Sequence, residues 1–250
     1  MQALVTGSRG FIARNLINEL QKHLDVVVLT HNRSDSDKDL LEKLKKSEII
    51  FHLAGVNRSD LDQDFQDSNV TLTARIIEHL EISENRAPII FSSSSQAGNS
   101  SIYGQTKIQA ENLLKAHNMR TLAGVRIYRL LNVFGRHSRP DYNSVVATFC
   151  YRVVNGLEIS MPNPDAPLKL VPVEAVVDAF VNELCFNNKQ GIFRNVEPVY
   201  ETTVGKVLEI IKNFYENDSR QLGKVGSGLD FYLKLAFDYF HDQSKSSRQI

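Results

Sequence analysis

Residues 3 to 16 read ALVTGSRGFIARNL, and the fold turns on them. An apolar run ends at Gly7, and beyond Gly10 the apolar positions recur at helical spacing, so a strand turns straight into a helix. Gly7 permits the tight turn, and Gly10 lets backbone amides at the positive helix end come close to an anion. Ala13 is a third small residue, able to seat the helix closely on the strand. A glycine pair alone is weak evidence, because many strand–helix turns use glycine. Its surroundings decide its meaning.

Those surroundings repeat the same unit. DVVVLT (25–30), EIIFHLAG (48–55), APIIFSSS (87–94) and GVRIYRLLN (124–132) read as strands. GFIARNLINELQKH (10–23), DKDLLEKLKKS (37–47), NVTLTARIIEHLE (69–81) and YGQTKIQAENLLKAH (103–117) read as helices. Continuous apolar strands alternating with helices predict an α/β fold, a Rossmann-like doubly wound parallel sheet covered on both faces. Beyond Asn132 the rhythm loosens. A polar loop with Pro140 leads to a helix over 145–156, a turn-rich connector MPNPDAP (161–167), and helices over 173–184 and 202–214. The terminal DQSKSSRQI is polar and expected to fray. No internal repeat or long linker interrupts the chain.

The 250 residues can bury one core with a small attached lobe. Lys and Arg total 29 and Asp and Glu also 29, so bulk charge points to neither nucleic acid nor a membrane surface. Two cysteines, Cys150 and Cys185, suit a reducing compartment. MQALVTG begins directly as a strand, with no room for a secretory segment, and no apolar run is long enough to span a bilayer. A cytoplasmic location is expected.

In this context the first turn (Gly7, Ser8, Arg9, Gly10, Phe11, Ile12) predicts a dinucleotide site, with an ordinary structural turn as the alternative. An NAD ribose is usually held by an acid about 20 residues beyond the glycines. Here the second strand ends in LTHNRS, and His31, Asn32, Arg33 and Ser34 come before the first acid, Asp35. Arg33, with Arg9 in the glycine turn, can offer a donor fork to a 2′-phosphate, which favours NADP(H). Arg33 as a solvated loop residue is the competing reading.

Tyr103 and Lys107 lie four apart on a predicted helix and so share a face. A free phenol has a pKa near ~10. At roughly 4 Å and an effective dielectric of about 20, an ammonium contributes on the order of 4 kcal/mol. That lowering of about three units brings the phenol near ~7, where acid–base efficiency is best. Lys107 can also hold a nicotinamide ribose. A serine from the run ending the preceding strand can hydrogen-bond a reacting carbonyl. Alone such a pair means little; its order after the glycine turn and IIFSSSS carries the reading.

TGSRGFIARNL, FHLAG, IIFSSSS, YGQTK and RLLNVFG, in that order over residues 5 to 135, resemble the extended short-chain dehydrogenase/reductases. The resemblance implies Ser94 as the catalytic serine, Tyr103 as acid/base and Lys107 as its partner. It implies that Leu53, Ala54, Gly55, Val56 and Ser92 line the cofactor, as do Leu130 and Val133 through their backbones. Residues 1–135 with part of 168–196 would form the NADP-binding core. Residues 136–167 and 197–250 would form the small substrate-binding lobe.

FHLAGVNR, SSSSQA, RLLNVFGRHSRPDYNSVVATFCY and LKLVPVEAVVDA are more narrowly similar to the reductase domain of CapF/WbjC-type bacterial enzymes of capsule and O-antigen synthesis. Those enzymes reduce a UDP-linked 2-acetamido-2,6-dideoxy-4-keto-hexose with NADPH, on the route to N-acetyl-fucosamine. The resemblance implies contacts to substrate from Ser94 and Asn132; Arg136 and Arg139 are candidates for the diphosphate, and Tyr142 and Asn143 for sugar or uracil. A solvated loop role is the alternative for each arginine. These relatives continue into a cupin domain that handles epimerisation at C3, whereas this chain stops at Ile250; ketone reduction alone is therefore expected.

No spaced His/Cys/carboxylate set supports a metal, and His52 and His137 read as packed or surface histidines. A dehydratase would place an acidic pair where Ser95 and Gln96 stand. An NAD-dependent nucleotide-sugar 4-epimerase carries the same catalytic groups and is distinguished only by the HNRS segment. A dinucleotide-sensing module without catalysis would not need the Ser–Tyr–Lys set. A homodimer through the helices of Tyr103 and NVTLTARIIEHL is implied by the resemblance, the alternative being that their apolar faces are used up inside one chain.

Overall fold

The computed structural model describes residues 1–185, 191–217 and 228–247. The chain forms two compact units, Met1–Leu130 with Val177–Val196, and Leu131–Val176 with Glu197–Ile250.

The first unit is built on β1 (Gln2–Thr6), β2 (Val27–His31), β3 (Ile49–His52), β4 (Ile89–Ser94) and β5 (Val125–Leu130). β6 (Asn132–Phe134) and β7 (Pro167–Pro172) belong to the second unit, and β8 (Phe193–Arg194) returns to the first. All six strands of the first unit pair in parallel, in the order β2-β1-β3-β4-β5-β8. The expected Rossmann-like sheet is therefore present. Its order reverses between β1 and β3, the switch point at which such sheets bind ligands beyond the strand ends.

Side chains alternate across the sheet. Leu4, Ile50, Ile89, Phe91, Val125 and Ile127 face a core with α2 (Asp37–Lys46), α4 (Leu72–Ile82) and α5 (Ile102–Thr121), through Leu40, Leu44, Ile76, Leu80, Ala110 and Leu114. Phe51 and Tyr128 point the other way, onto Phe180 at ring distances of 6.1 and 5.0 Å. α1 (Phe11–Leu20) buries Ala13, Leu16 and Leu20, so the small third residue of the opening turn is packed as expected. α2 and α5 start on ordinary side-chain caps: Ser36 accepts from the Asp39 amide and Ser101 from the Gly104 amide. α4 starts later than the sequence implied. A short α3 (Asp62–Phe65) runs through a wide π-turn, Gln66–Thr71, before α4 begins.

The second unit has a three-stranded sheet in the order β6-β7-β9, with β9 at Tyr200–Thr203. Its apolar core is formed by α6 (Val145–Val154), α8 (Val204–Glu216) and α9 (Leu229–Ser247), around Phe149, Cys150, Ile211, Leu233 and Phe237. α7 (Val173–Val181) runs into the 3-10 turn Asn182–Cys185, which belongs to the first unit. The sequence reading missed α9. The tail expected to fray is helical through Ser247, and 248–250 lie outside the described residues.

Candidate active site

At the end of β1, Gly7 takes φ +66°, a left-handed backbone that other residues enter at a cost. A Cβ there would lie 2.7 Å from the Ala54 Cα, so glycine also permits the close approach of the β1 and β3 ends. The Gly7 amide donates to His31 O and the Gly10 amide to Gly7 O, each at 2.8 Å. Gly10 is the N-cap of α1, with no side-chain cap and no acid in the first turn. The leading amides, including those of Phe11 and Ile12, are thus left for an anion at the positive helix end. A dinucleotide pyrophosphate fits this turn.

The end of β2 differs from a linear reading of its sequence. Asn32 Oδ1 accepts from Ser8 Oγ at 3.0 Å and from the Arg9 amide at 3.2 Å, tying strand end to glycine turn. Asp35 folds back so that its Oδ2 accepts from the Asn32 amide at 3.0 Å, and Ser34 Oγ donates to its other oxygen. An acid therefore does stand at this strand end, although none precedes position 35. Lys43 neutralises it, with Nζ 3.6 Å from Asp35 and 2.5 Å from Asp39. His31 Nδ1 lies 3.8 Å from both carboxylates. The three could group around a cation, but the Lys43 ammonium already supplies that charge. Arg33 is 75% exposed and pairs with Asp64 at 3.0 Å, and Ser59 Oγ donates to the other oxygen of Asp64.

Beyond β3, the chain through Leu53, Ala54, Gly55 and Val56 is held from two sides. Thr6 Oγ1 accepts from the Ala54 amide at 3.2 Å. Asn69, buried on the π-turn, accepts from the Val56 amide at 2.9 Å and donates to Val56 O and to Thr106 Oγ1, both at 3.0 Å. Sequence reading missed Asn69, which looked like the first residue of a helix. His52 is a packed histidine, its ring nitrogens each 2.8 Å from Thr6 Oγ1 or Thr73 Oγ1, with its pKa pushed down to about 3 by burial first and by Lys107 second.

The serine run of β4 is sorted by the alternation of the strand. Ser92 presents its carbonyl to Lys107 Nζ at 2.7 Å, Ser93 turns its hydroxyl to Glu111 at 2.5 Å, and Ser94 faces the Tyr103 phenol, favouring its ionised form. Ser94 Oγ also accepts from the Gln96 amide at 3.1 Å. Gly104 lets this loop sit on α5, since a Cβ there would run into Asn99 and the Gln96 carbonyl. Lys107 Nζ lies 4.3 Å from the centre of the Phe91 ring. The end of β4 thus meets Lys107 through the Ser92 carbonyl and Tyr103 through Ser94, and the Leu130 carbonyl beside it accepts from the Ser95 amide at 2.9 Å.

One expectation is corrected here. The Lys107 ammonium was to draw the phenol down towards neutrality; instead burial raises Tyr103, opposed only in part by the Ser94 hydrogen bond. Lys107 is itself lowered to about 7 by burial, with Glu111 working against that shift. Desolvation disfavours both charged forms, and it outweighs the attraction assumed from helical spacing. Glu111 and its partner Arg129 are further residues that the sequence reading passed over.

The other residues singled out lie in the second unit. Asn132 Nδ2 donates to Lys169 O at 3.2 Å, and Val133 pairs with Val171. Arg136 lies 3.6 Å from Glu174, Arg139 stacks over the Tyr142 ring at 4.9 Å, and Asn143 is exposed. His137 has φ +68°, and its Nδ1 is 3.1 Å from the Tyr239 hydroxyl.

Comparison with known proteins matches residues 3–184 to the NAD dependent epimerase/dehydratase family. The chain belongs to that family. Among relatives, it is 36% identical to the UDP-2-acetamido-2,6-beta-L-arabino-hexul-4-ose reductase of Pseudomonas aeruginosa, over all of this chain and 68% of that protein. Among solved structures, the capsular polysaccharide assembling protein CapF from Staphylococcus aureus superposes with TM-score 0.87 at 28% identity, over 98% of this chain and 67% of that one. This epimerase/dehydratase chain therefore spans about two thirds of each. A UDP-glucose 4-epimerase from Thermotoga maritima shares the fold at TM-score 0.80 and 21% identity, over 98% of this chain and all of its own.

Proposed function

We propose that the chain reduces the C4 ketone of a UDP-linked 2-acetamido-2,6-dideoxy-4-keto-hexose with NADPH, a step of capsule or O-antigen sugar synthesis towards N-acetyl-fucosamine. The observation that carries the reading is that Lys107 Nζ reaches Ser92 O at the end of β4, where Ser94 acts on the Tyr103 phenol. The family membership and the 36% identical ketone reductase support it.

In this reading Gly7, Gly10 and the first-turn amides hold the pyrophosphate, and Leu53 to Val56 line the cofactor. Arg33 and Arg9 take the 2′-phosphate. The exposed Arg33–Asp64 pair is of the weak surface kind, so Arg33 is available at small cost. When bound, the nicotinamide supplies hydride to C4. Ser94 and Tyr103 orient the ketone oxygen, and their hydrogen bonds stabilise the charge that develops on it. Tyr103 then donates its proton. Its raised pKa suits this role, because the phenol stays protonated at neutral pH while an alkoxide is far more basic than a phenolate. Lys107 holds the nicotinamide ribose. The nucleotide part of the substrate is assigned to Arg136, Arg139, Tyr142 and Asn143, with Asn132 on the sugar.

A cytoplasmic homodimer completes the reading. α4 and α5 share a cleft of about 330 Å³ in which Ile77, Ile82, Leu113 and Ala116 lie beside the charged Glu78, Glu81 and Arg120, with Ile82 exposed. Among the described residues no helix is long and apolar enough to cross a membrane.

The test is consumption of NADPH at 340 nm with UDP-4-keto-hexoses, with the product configuration read by NMR. One NADPH consumed per ketone reduced is expected. Interconversion of C4 epimers with no net loss of absorbance would make the protein an epimerase instead.

A further inference from the structure

Lys107 occupies an uncomfortable position. It is 4% exposed, its Nζ donates to Ser92 O at 2.7 Å, and the Phe91 ring lies 4.3 Å away. A carbonyl dipole and a ring face do not replace the hydration of an ammonium, and burial accordingly lowers this lysine to about 7. Yet the reading above requires a cation there, to hold a ribose and to stabilise the phenolate left when Tyr103 gives up its proton.

The groups that face Lys107 come from several elements. His52 on β3 is neutral near pH 7, its pKa pushed to about 3. Ser92 and Phe91 on β4, and Asn69 on the π-turn beside Gly55, are uncharged. Glu111, one helical turn beyond Lys107, is the anion acting on it. Its side chain is fully buried and highly organised. Arg129 on β5 grips both its oxygens, Nε to Oε1 at 2.9 Å and Nη2 to Oε2 at 2.7 Å, and Ser93 Oγ donates at 2.5 Å. Arg129 in turn stacks over the Phe193 ring at 4.9 Å.

A purely structural reading makes Glu111–Arg129 a clamp of α5 onto β5. That reading explains the fork, but it leaves Lys107 as a buried amine with no compensating charge. Lys107 and Glu111 lie four apart on α5 and both are buried, so they share a face and their charges act on one another across a water-poor interior, without direct contact.

We propose that Glu111, fixed by Arg129 and Ser93, is the positioning counter-ion that keeps Lys107 charged in its buried seat and thereby sets the alkaline limit of the reaction. Its catalytic consequence rests on the reductase reading; the coupling of the two side chains does not.

The experiment titrates Lys107 by NMR in the full chain labelled at lysine Cε, without ligand, the signal being assigned through Lys107→Met. In Glu111→Gln the midpoint falls by about one pH unit or more. The alkaline limb of kcat/KM for NADPH-dependent ketone reduction falls with it, giving roughly a tenfold loss near pH 8 and little near pH 6. A clamp alone would lower activity equally at both. A folded Glu111→Gln protein with an unmoved Lys107 midpoint overturns the proposal. Should that variant not fold, the native chain decides. With glutamate Cδ labelled, the Glu111 signal must step at the Lys107 midpoint, and a flat signal overturns the coupling. If the midpoints shift as expected but no ketone is reduced, the reductase reading fails and the counter-ion stands.

Discussion

Tyr103 keeps its proton because burial penalises phenolate more than the Ser94 hydrogen bond favours it. Tyr103→Phe removes the hydroxyl while leaving the ring beside Phe65, 6.4 Å away. Turnover should fall about 10²- to 10⁴-fold, with NADPH affinity by fluorescence titration nearly unchanged. A fully active variant would end the assignment. Tyr103 and Lys107 were legible in the sequence because four residues along one helix fix a common face. The sign of their pKa shifts was not, because it depends on burial contributed by β3, β4 and the π-turn. Glu111 was four residues further on, but nothing local marks its partner: Arg129 reaches it from a strand 18 residues away.

Among the elements, β1, β3 and α4 are stitched by one chain of hydrogen bonds, Thr6 to His52 to Thr73. His52 has a folded pKa of about 3 against an ordinary 6.5. The unfolded chain therefore takes up a proton that the folded one refuses, and this contribution, fully present above 6.5, is lost as pH falls towards 3. The slope reaches about 1.4 kcal/mol per pH unit. Urea unfolding of wild type and His52→Gln at about pH 7.5 and 5 should show a pH dependence about 1–2 kcal/mol smaller in the variant. The strands of the six-stranded sheet were legible because burial on both faces leaves continuous apolar runs such as EIIFH and APIIF. β6 is three residues long and β9 reads YETT, so neither carries a pattern to find. α9 carries a buried stripe, Leu233, Ala236, Phe237 and Phe240, but Phe231, Tyr232 and Tyr239 add aromatic rings outside it and blur the pattern. The π-turn is a single widened ring that periodicity averages away.

At the scale of the molecule, the first unit is discontinuous, and its second segment is fastened through Glu183. This nearly buried carboxylate accepts from the Tyr128 hydroxyl at 2.6 Å and lies 3.6 Å from Arg126 and 3.4 Å from Arg194. Arg126 is 2% exposed, so Glu183→Ala removes the carboxylate that balances a buried charge. A loss of about 3–5 kcal/mol in denaturant unfolding is expected, and an unchanged midpoint would show the cluster to be incidental. Ala116→Arg on the α4–α5 cleft should convert a dimer to a folded monomer, read by light scattering; a monomeric wild type would remove the proposed homodimer. The family resemblance implied that part of 168–196 joins this core, but FRN, a two-residue strand with no alternation of its own, carries no local sign of it. This return of the chain also bears on birth at the ribosome. β5 gains its outer neighbour only through Ile127 and Tyr128 pairing with Phe193 and Arg194, after the intervening segment has been translated. Until then the nascent sheet carries an open, apolar margin of the sort that recruits chaperones or other unfinished chains.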